Sequence, residues 1–142
     1  MKPSEACIEF IKGFEGFRDT AYLCPAGVWT IGYGTTEYVD SGDTVTEEEA
    51  CELLRKDVQE AADAVDDLVD VELSQSQYDA LCSFIYNVGR SAFANSTMLK
   101  MLNRGQSAKS IGPQFERWVK ANGQVIPGLT RRRAAEREMF ES

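Results

Sequence analysis

Three residues of types suited to hydrolysis fall at fixed spacing in the stretch from Lys12 to Thr36, KGFEGFRDTAYLCPAGVWTIGYGTT. Glu15 is followed after eight residues by Cys24 and after five more by Thr30. A glutamate at the end of a short amphipathic helix, where a glycine-rich strand-like segment begins, projects into a cleft and is placed to act as a general acid. A donor must keep its proton near neutral pH, which apolar walls such as Phe14 and Phe17 favour. Cys24 is a poor base, because a free thiol of pKa about 8.5 is mostly protonated at pH 7. Thr30 carries a hydroxyl that both donates and accepts. One role open to Cys24 is that of a partly ionised base or nucleophile. The bland alternatives are a solvated helix-end charge for Glu15 and an ordinary strand residue for Thr30.

The chain has no histidine at all. Ser-His-Asp hydrolysis, Cys-His peptidase chemistry and HExxH metalloprotease sites are excluded together. Carboxylate chemistry, which asks for no metal and no cofactor, survives that exclusion. Four cysteines at 7, 24, 51 and 82 form no CxxC pair, so neither a zinc site nor a disulfide framework is indicated. Cys7, Cys51 and Cys82 fall among apolar helical positions and read as small core residues. The GYG at Gly32 to Gly34 lacks the GKS/T ending of a phosphate loop and reads instead as a place of close backbone approach.

The elements that must position these groups follow from capping and periodicity. Ser4 caps a first helix with Cys7 or Ile8, Ile11 and Phe14 at helical spacing. The segment through Tyr22, Val28, Trp29, Ile31 and Tyr33 then reads as a small antiparallel sheet turning at Cys24 to Gly27. Thr46 with Glu49 is a capping box, opening a stripe from Leu53 to Val69 that fits one long helix or two shorter ones. Ser74 with Gln77 is a second box, starting a helix that stops near Gly89. Short helices follow Ser91 and Ser96, another carries Phe115 and Trp118, and after the NGQVIPG loop a final basic helix begins at Thr130. The C-terminal half is a helical bundle.

With 142 residues the chain supports one compact domain with a core. No run approaches the roughly 18 apolar residues of a membrane span, and no export signal is evident. The net charge of -8 is unevenly distributed: fourteen acids against two bases between Glu37 and Glu72, but nine bases against four acids from Lys100 onward. Nucleic acid is not the expected partner, since phosphate binding relies on a basic face. The basic run reads mostly as a solvated helix face. The acidic region is expected to face away from the cleft, with the basic helix bordering it.

Together, the Glu15, Cys24, Thr30 spacing and the segments GVWTIGYGT, FIYNVGRSAF with STMLKMLNRG, and PGLTRRRAAE resemble, in order and over nearly the whole chain, the phage-type lysozymes, endolysins of glycoside hydrolase family 24. The family signature allows aspartate or cysteine at the middle position, and here it is Cys24. The resemblance implies an α+β, mostly α, lysozyme-like fold: a small antiparallel sheet lobe, about 15–60, and a larger helical lobe, about 72–142 plus the N-terminal helix, joined by a long helix with the cleft between. It implies a muramidase cutting the β-1,4 bond between N-acetylmuramic acid and N-acetylglucosamine in peptidoglycan glycan strands; with a thiol where the family also allows a carboxylate, Cys24 and Thr30 are read as a pair that holds and orients the attacking water in an inverting reaction. It places Arg132, the first arginine of the GLxxRR element, beside the catalytic glutamate, where it would orient the carboxyl or contact substrate. A monomer made in the host cytoplasm, reaching the wall after a holin-type opening of the membrane, is the expected biology. A phage-tail or effector muramidase would share the chemistry. A lysozyme-like module that binds peptidoglycan or a protein without catalysis is the alternative of a different class.

Tyr33, Trp29 and Phe93 have the chemistry to stack on sugars but are more often core, as is Trp118. Asn87 and Gly89 are explained by a helix stop, and Asp19 by a surface charge.

Overall fold

A computed structural model describes all residues from Met1 to Ser142. Helix α1 (Glu5–Glu15) starts where the Ser4 hydroxyl accepts from the Cys7 N–H and ends as Gly16 takes a positive φ. Its start is anchored to the interior, because the Ser4 N–H and hydroxyl both donate to Asp79. Strands β1 (Arg18–Leu23) and β2 (Trp29–Gly32) form an antiparallel hairpin that pairs Tyr22 with Thr30 and Leu23 with Trp29. Register slips between Arg18 and Tyr22, the local irregularity that bends a ribbon around a neighbouring helix.

The stripe after Thr46 is a single helix, α2 (Glu47–Leu68), opened by the expected capping box. It connects the hairpin to the helical part. Near its start Ala50 sits under Gly32, where an added Cβ would come within 2.9 Å of the Ala50 Cβ. Near its end Asp66 accepts from the Tyr78 hydroxyl at 3.1 Å. The second box opens α3 (Gln75–Val88), which is buried on nearly every side from Tyr78 to Ile85. A helix buried all round forms the centre of a bundle, and α1, α2, α4 (Arg90–Ala94) and α7 (Pro127–Glu141) pack on it. Phe84, at its middle, meets Phe93, Phe115 and Trp118 edge-on at centroid distances of 5.4 to 6.5 Å.

The fold is therefore α+β and mostly helical with a small antiparallel sheet, as expected. Three local features differ from the sequence reading. The helix expected to carry Phe115 and Trp118 is α6 (Ala108–Ile111), preceded by α5 (Thr97–Asn103) and continued by a 3-10 turn (Gly112–Arg117) that leaves Trp118 just outside. Pro113 lacks the N–H that an α-helix would need there. The NGQVIPG loop contains a second hairpin, β3 (Lys120–Ala121) and β4 (Gln124–Val125). Asn122 and Gly123 turn it with φ of 53° and 78°, the positive angles of a tight two-residue hairpin. The last helix begins at Pro127 rather than Thr130, with proline in the first turn, where its missing N–H costs nothing. No helix is long and apolar enough to cross a membrane.

Candidate active site

Glu15 occupies the last position of α1, and its side chain retains 21% exposure. One oxygen, Oε2, accepts from Nη1 of Arg132 at 2.6 Å. The other, Oε1, faces the backbone of Gly34, so closely that a Cβ there would lie 3.1 Å from it and 3.2 Å from the Tyr86 hydroxyl. The second glycine of GYG is thus a close-approach residue at φ 100°. Tyr86 in turn donates to the Tyr33 carbonyl oxygen at 2.9 Å, fixing the loop over the carboxylate. Burial, with Glu15 and Asp57 nearby, pushes the Tyr86 phenol well up, so it stays neutral.

These groups open on a cleft of about 490 Å³, within the range of sites that hold small ligands. Glu15, Gly34 and Thr36 form one side; Asp57, Glu60 and Ala61 of α2 and Tyr86, Asn87, Gly89 and Arg90 around the end of α3 form the others. Asn87 and Gly89 are therefore cleft residues as well as a helix stop. The expectation that the acidic region faces away is overturned: Glu37, Asp57 and Glu60 all line the cleft. Asp57 accepts from the Thr35 hydroxyl at 2.8 Å. Its carboxyl is nonetheless shifted up, mainly by burial and then by Glu60 and Glu37, so it takes a proton more readily than a free aspartate.

Arg132 does not border the cleft as part of a solvated basic face. It is 4% exposed and lies beneath Glu15. Its Nε donates to Glu136 Oε2 at 3.2 Å, and Nη2 donates to the Ser83 carbonyl and hydroxyl at 3.2 and 3.3 Å. Arg133, equally buried, donates to Glu136, to the Trp118 carbonyl at 2.9 Å and to Asn87. Phe14 and Phe17, expected as cleft walls, are more than a third exposed. The Phe14 ring covers Arg132 instead, 5.7 Å from its guanidinium.

Cys24 and Thr30 are brought together on the hairpin but are not among the residues walling this cleft. Thr30 is buried, and its hydroxyl donates to the Val28 carbonyl at 3.0 Å while also lying against the Cys24 sulfur. With one proton it serves one of these acceptors at a time. The N–H groups of Val28 and Ala26, then the Thr30 hydroxyl, favour the Cys24 thiolate and lower its pKa from the ordinary thiol value. Iodoacetamide should accordingly modify Cys24 with an alkaline midpoint below that of a free cysteine, about 8.5. Cys7, pushed up to about 12 by burial, should stay unmodified in the folded protein. Peptide mapping across a pH series checks both; a Cys24 midpoint at or above the free-thiol value would contradict the geometry. All four thiols are free, and Tyr33 and Phe93 are core residues as expected.

A helix-end carboxylate gripped by a buried arginine thus stands at the edge of a polar cleft, between the loop that follows the small sheet and the helices of the bundle. The phage lysozyme family model matches residues 12–136. The chain is 43% identical over 146 residues to the endolysin of Acyrthosiphon pisum secondary endosymbiont phage 1, covering 100% of this chain and 99% of that one. It is 46% identical over 143 residues to the endolysin of Bacillus phage B103, 99% of this chain but only 54% of that longer protein. Among solved structures, the muramidase domain of SpmX from Asticaccaulis excentricus superposes with a TM-score of 0.93 at 41% identity, covering 99% of this chain and 98% of that one. The chain belongs to the phage lysozyme family, and it is a glycoside hydrolase of the muramidase class.

Proposed function

We propose that this muramidase hydrolyses the β-1,4 bond between N-acetylmuramic acid and N-acetylglucosamine with inversion, using Glu15 as the general acid and Cys24 with Thr30 to hold the attacking water. The observation that carries the reading is the division of labour at Glu15. Oε2 is fixed by Arg132, leaving Oε1 in the cleft as the atom that presents the proton. Protonating the glycosidic oxygen builds an oxocarbenium-like centre, and water then attacks its opposite face. A centre already that electrophilic asks little basicity of the group that holds the water. The Thr30 hydroxyl, which lies against the Cys24 sulfur while donating to the Val28 carbonyl, supplies placement with that thiol, and β2 leads from the pair to Gly32 and on to Gly34 at Glu15. Arg132 serves as the orienting residue for Glu15 rather than as a sugar contact, consistent with its burial.

The small hairpin lobe and the helical lobe then hold a glycan strand between them. As in its endolysin relatives, the biological outcome is lysis of the bacterial wall in a phage cycle. The protein is read as a monomer made in the host cytoplasm, acting once a holin-type opening gives access to the wall.

The test is release of reducing ends from purified peptidoglycan, with the anomeric form of the first product followed by NMR. Inversion gives the α-anomer first. A β-anomer first would overturn inversion and mean a double displacement, with Cys24 as its nucleophile only if Cys24→Ser also abolished turnover. Cys24→Ser should keep its rate within about tenfold of wild type, about 1.4 kcal/mol in barrier, since a hydroxyl also holds water. A far larger loss would make the sulfur chemically necessary. A folded wild type that releases no reducing ends would assign the chain to the binding class instead.

A further inference from the structure

Glu136 is the one carboxylate of this chain that is 0% exposed. It accepts from three side chains: the Ser83 hydroxyl at 2.6 Å, Arg132 Nε at 3.2 Å and Arg133 Nη1. Arg132 meanwhile reaches past it to Glu15. The buried set thus holds two guanidinium groups against Glu136 and the partly exposed Glu15. An ionised carboxylate in so enclosed a place survives only with paired and hydrogen-bonded partners; of its three, one is the donor's arginine itself, Ser83 is a partner of that arginine, and Arg133 is a partner of the cleft residue Asn87.

We infer that Glu136 is a positioning residue for Glu15, a permanent counter-ion that shares Arg132 with it and so leaves Glu15 able to carry its proton. The inference rests on the reading of Glu15 as general acid. A general acid faces a conflict: an arginine at 2.6 Å orients its carboxyl but also favours the ionised form that has no proton to give. Glu136 resolves the conflict by neutralising part of the same guanidinium from the other side. When Glu15 is protonated, Arg132 still has an anion, so the neutral donor is not opposed by an orphaned buried cation. The pH range of activity is then set from 0% exposed groups behind the cleft as much as from within it.

The groups that face this pair are few. Glu15 meets Arg132 from α7, Tyr86 from α3, Gly34 from the loop after β2, and shares its cleft with Asp57 and Glu60 from α2, Glu37 and Arg90. Glu136 meets Arg132 and Arg133 from its own helix, Ser83 from α3 and, at longer range, Cys7 from α1. Tyr86 and Cys7 are both pushed upward by burial and stay neutral through the working range. Asp57, shifted up, is joined in the cleft by Glu37 and Glu60, so the limb assigned to Glu15 is the alkaline one that persists in each of Asp57→Asn, Glu60→Gln and Glu37→Gln.

The experiment is the pH profile of kcat and KM on soluble peptidoglycan fragments for wild type, Glu136→Gln and Arg133→Met, each first shown to be folded by circular dichroism. Removing the Glu136 charge gives Arg132 wholly to Glu15, so the alkaline limb should move to lower pH, with activity on that limb falling about tenfold per unit moved. Removing Arg133 gives Glu136 more fully to Arg132, so the limb should move to higher pH. Opposite displacements with little change in KM are the expected result, and damage to the fold cannot produce them. Limbs that stay in place while only the amplitude or Tm falls would overturn the inference, as would displacement of both in one direction. Should Glu136→Gln not fold, Arg133→Met decides alone: an upward move supports the inference and any other result overturns it. Glu15→Gln run alongside separates the two readings, since high activity there would sink the assignment of Glu15 itself, whereas an inactive Glu15→Gln with unmoved limbs would sink only the role of Glu136.

Discussion

Glu15→Gln lowers reducing-end release by about 100- to 10,000-fold, the usual worth of a positioned general acid, while leaving the protein folded. The amide matches the carboxylate in size and keeps an oxygen that can accept from Arg132, so the close contact at 2.6 Å has a neutral substitute. What disappears is the transferable proton on the atom facing the cleft. The cost to stability is modest, because Arg132 keeps Glu136 and Ser83 as partners. Losing one charge-assisted hydrogen bond at a partly exposed position amounts to roughly 1 to 2 kcal/mol. Activity and Tm measured together check the claim. A rate within tenfold of wild type would mean that another group donates the proton, and Asp57, which also faces the cleft and holds a proton more readily than a free aspartate, would be the next to replace.

The parts of this site that the amino-acid pattern discloses are those with local signals. Ser4, Thr46 and Ser74 cap their helices through side chains three residues from their partners, so short stretches suffice to find them. The spacing from Glu15 to Thr30 spans one helix end and one hairpin and is legible for the same reason. The buried ionic cluster is not. Arg132 and Glu136 are four apart, and Arg133 and Glu136 three apart, the same spacing that decorates an ordinary solvated helix face. Only the arrival of α3 and the end of α1 over that face makes it interior, and both come from distant parts of the chain.

The acidic wall was hidden by a similar ambiguity. Periodicity places Asp57 and Glu60 on a polar side of α2, but it does not say that this side looks onto Glu15 rather than away from it. The second hairpin had a visible signal in Asn122-Gly123, yet strands of two residues offer no alternation to confirm it. The 3-10 turn around Phe115 was masked by an apolar spacing that both kinds of helix satisfy.

Gly34→Ala is the substitution whose effect follows most directly from geometry, and its expected result is a loss of about 100-fold in rate with the fold intact. Two costs combine. The backbone at φ 100° lies where L side chains are rarely found, a strain of order 1 to 3 kcal/mol. The new methyl would also sit 3.1 Å from Glu15 Oε1 and 3.2 Å from the Tyr86 hydroxyl, closer than a carbon rests comfortably against either. Tyr86 is held by the Tyr33 carbonyl and packed against the core, so it yields little. The partly exposed carboxylate yields first and pivots about its contact with Arg132. The contacts alone ask for a few tenths of an ångström; relief of the backbone strain carries the carboxylate further, and a displacement approaching about 1 Å in a catalytic group costs about 100-fold. A turnover rate for Gly34→Ala near that of wild type would show that Oε1 is free to move without consequence, and that the proton is not delivered from the position the structure gives it. Gly32→Ala is the informative contrast: its added carbon would strike Ala50 on α2 and not the carboxylate, so it should lower Tm more than it slows the reaction.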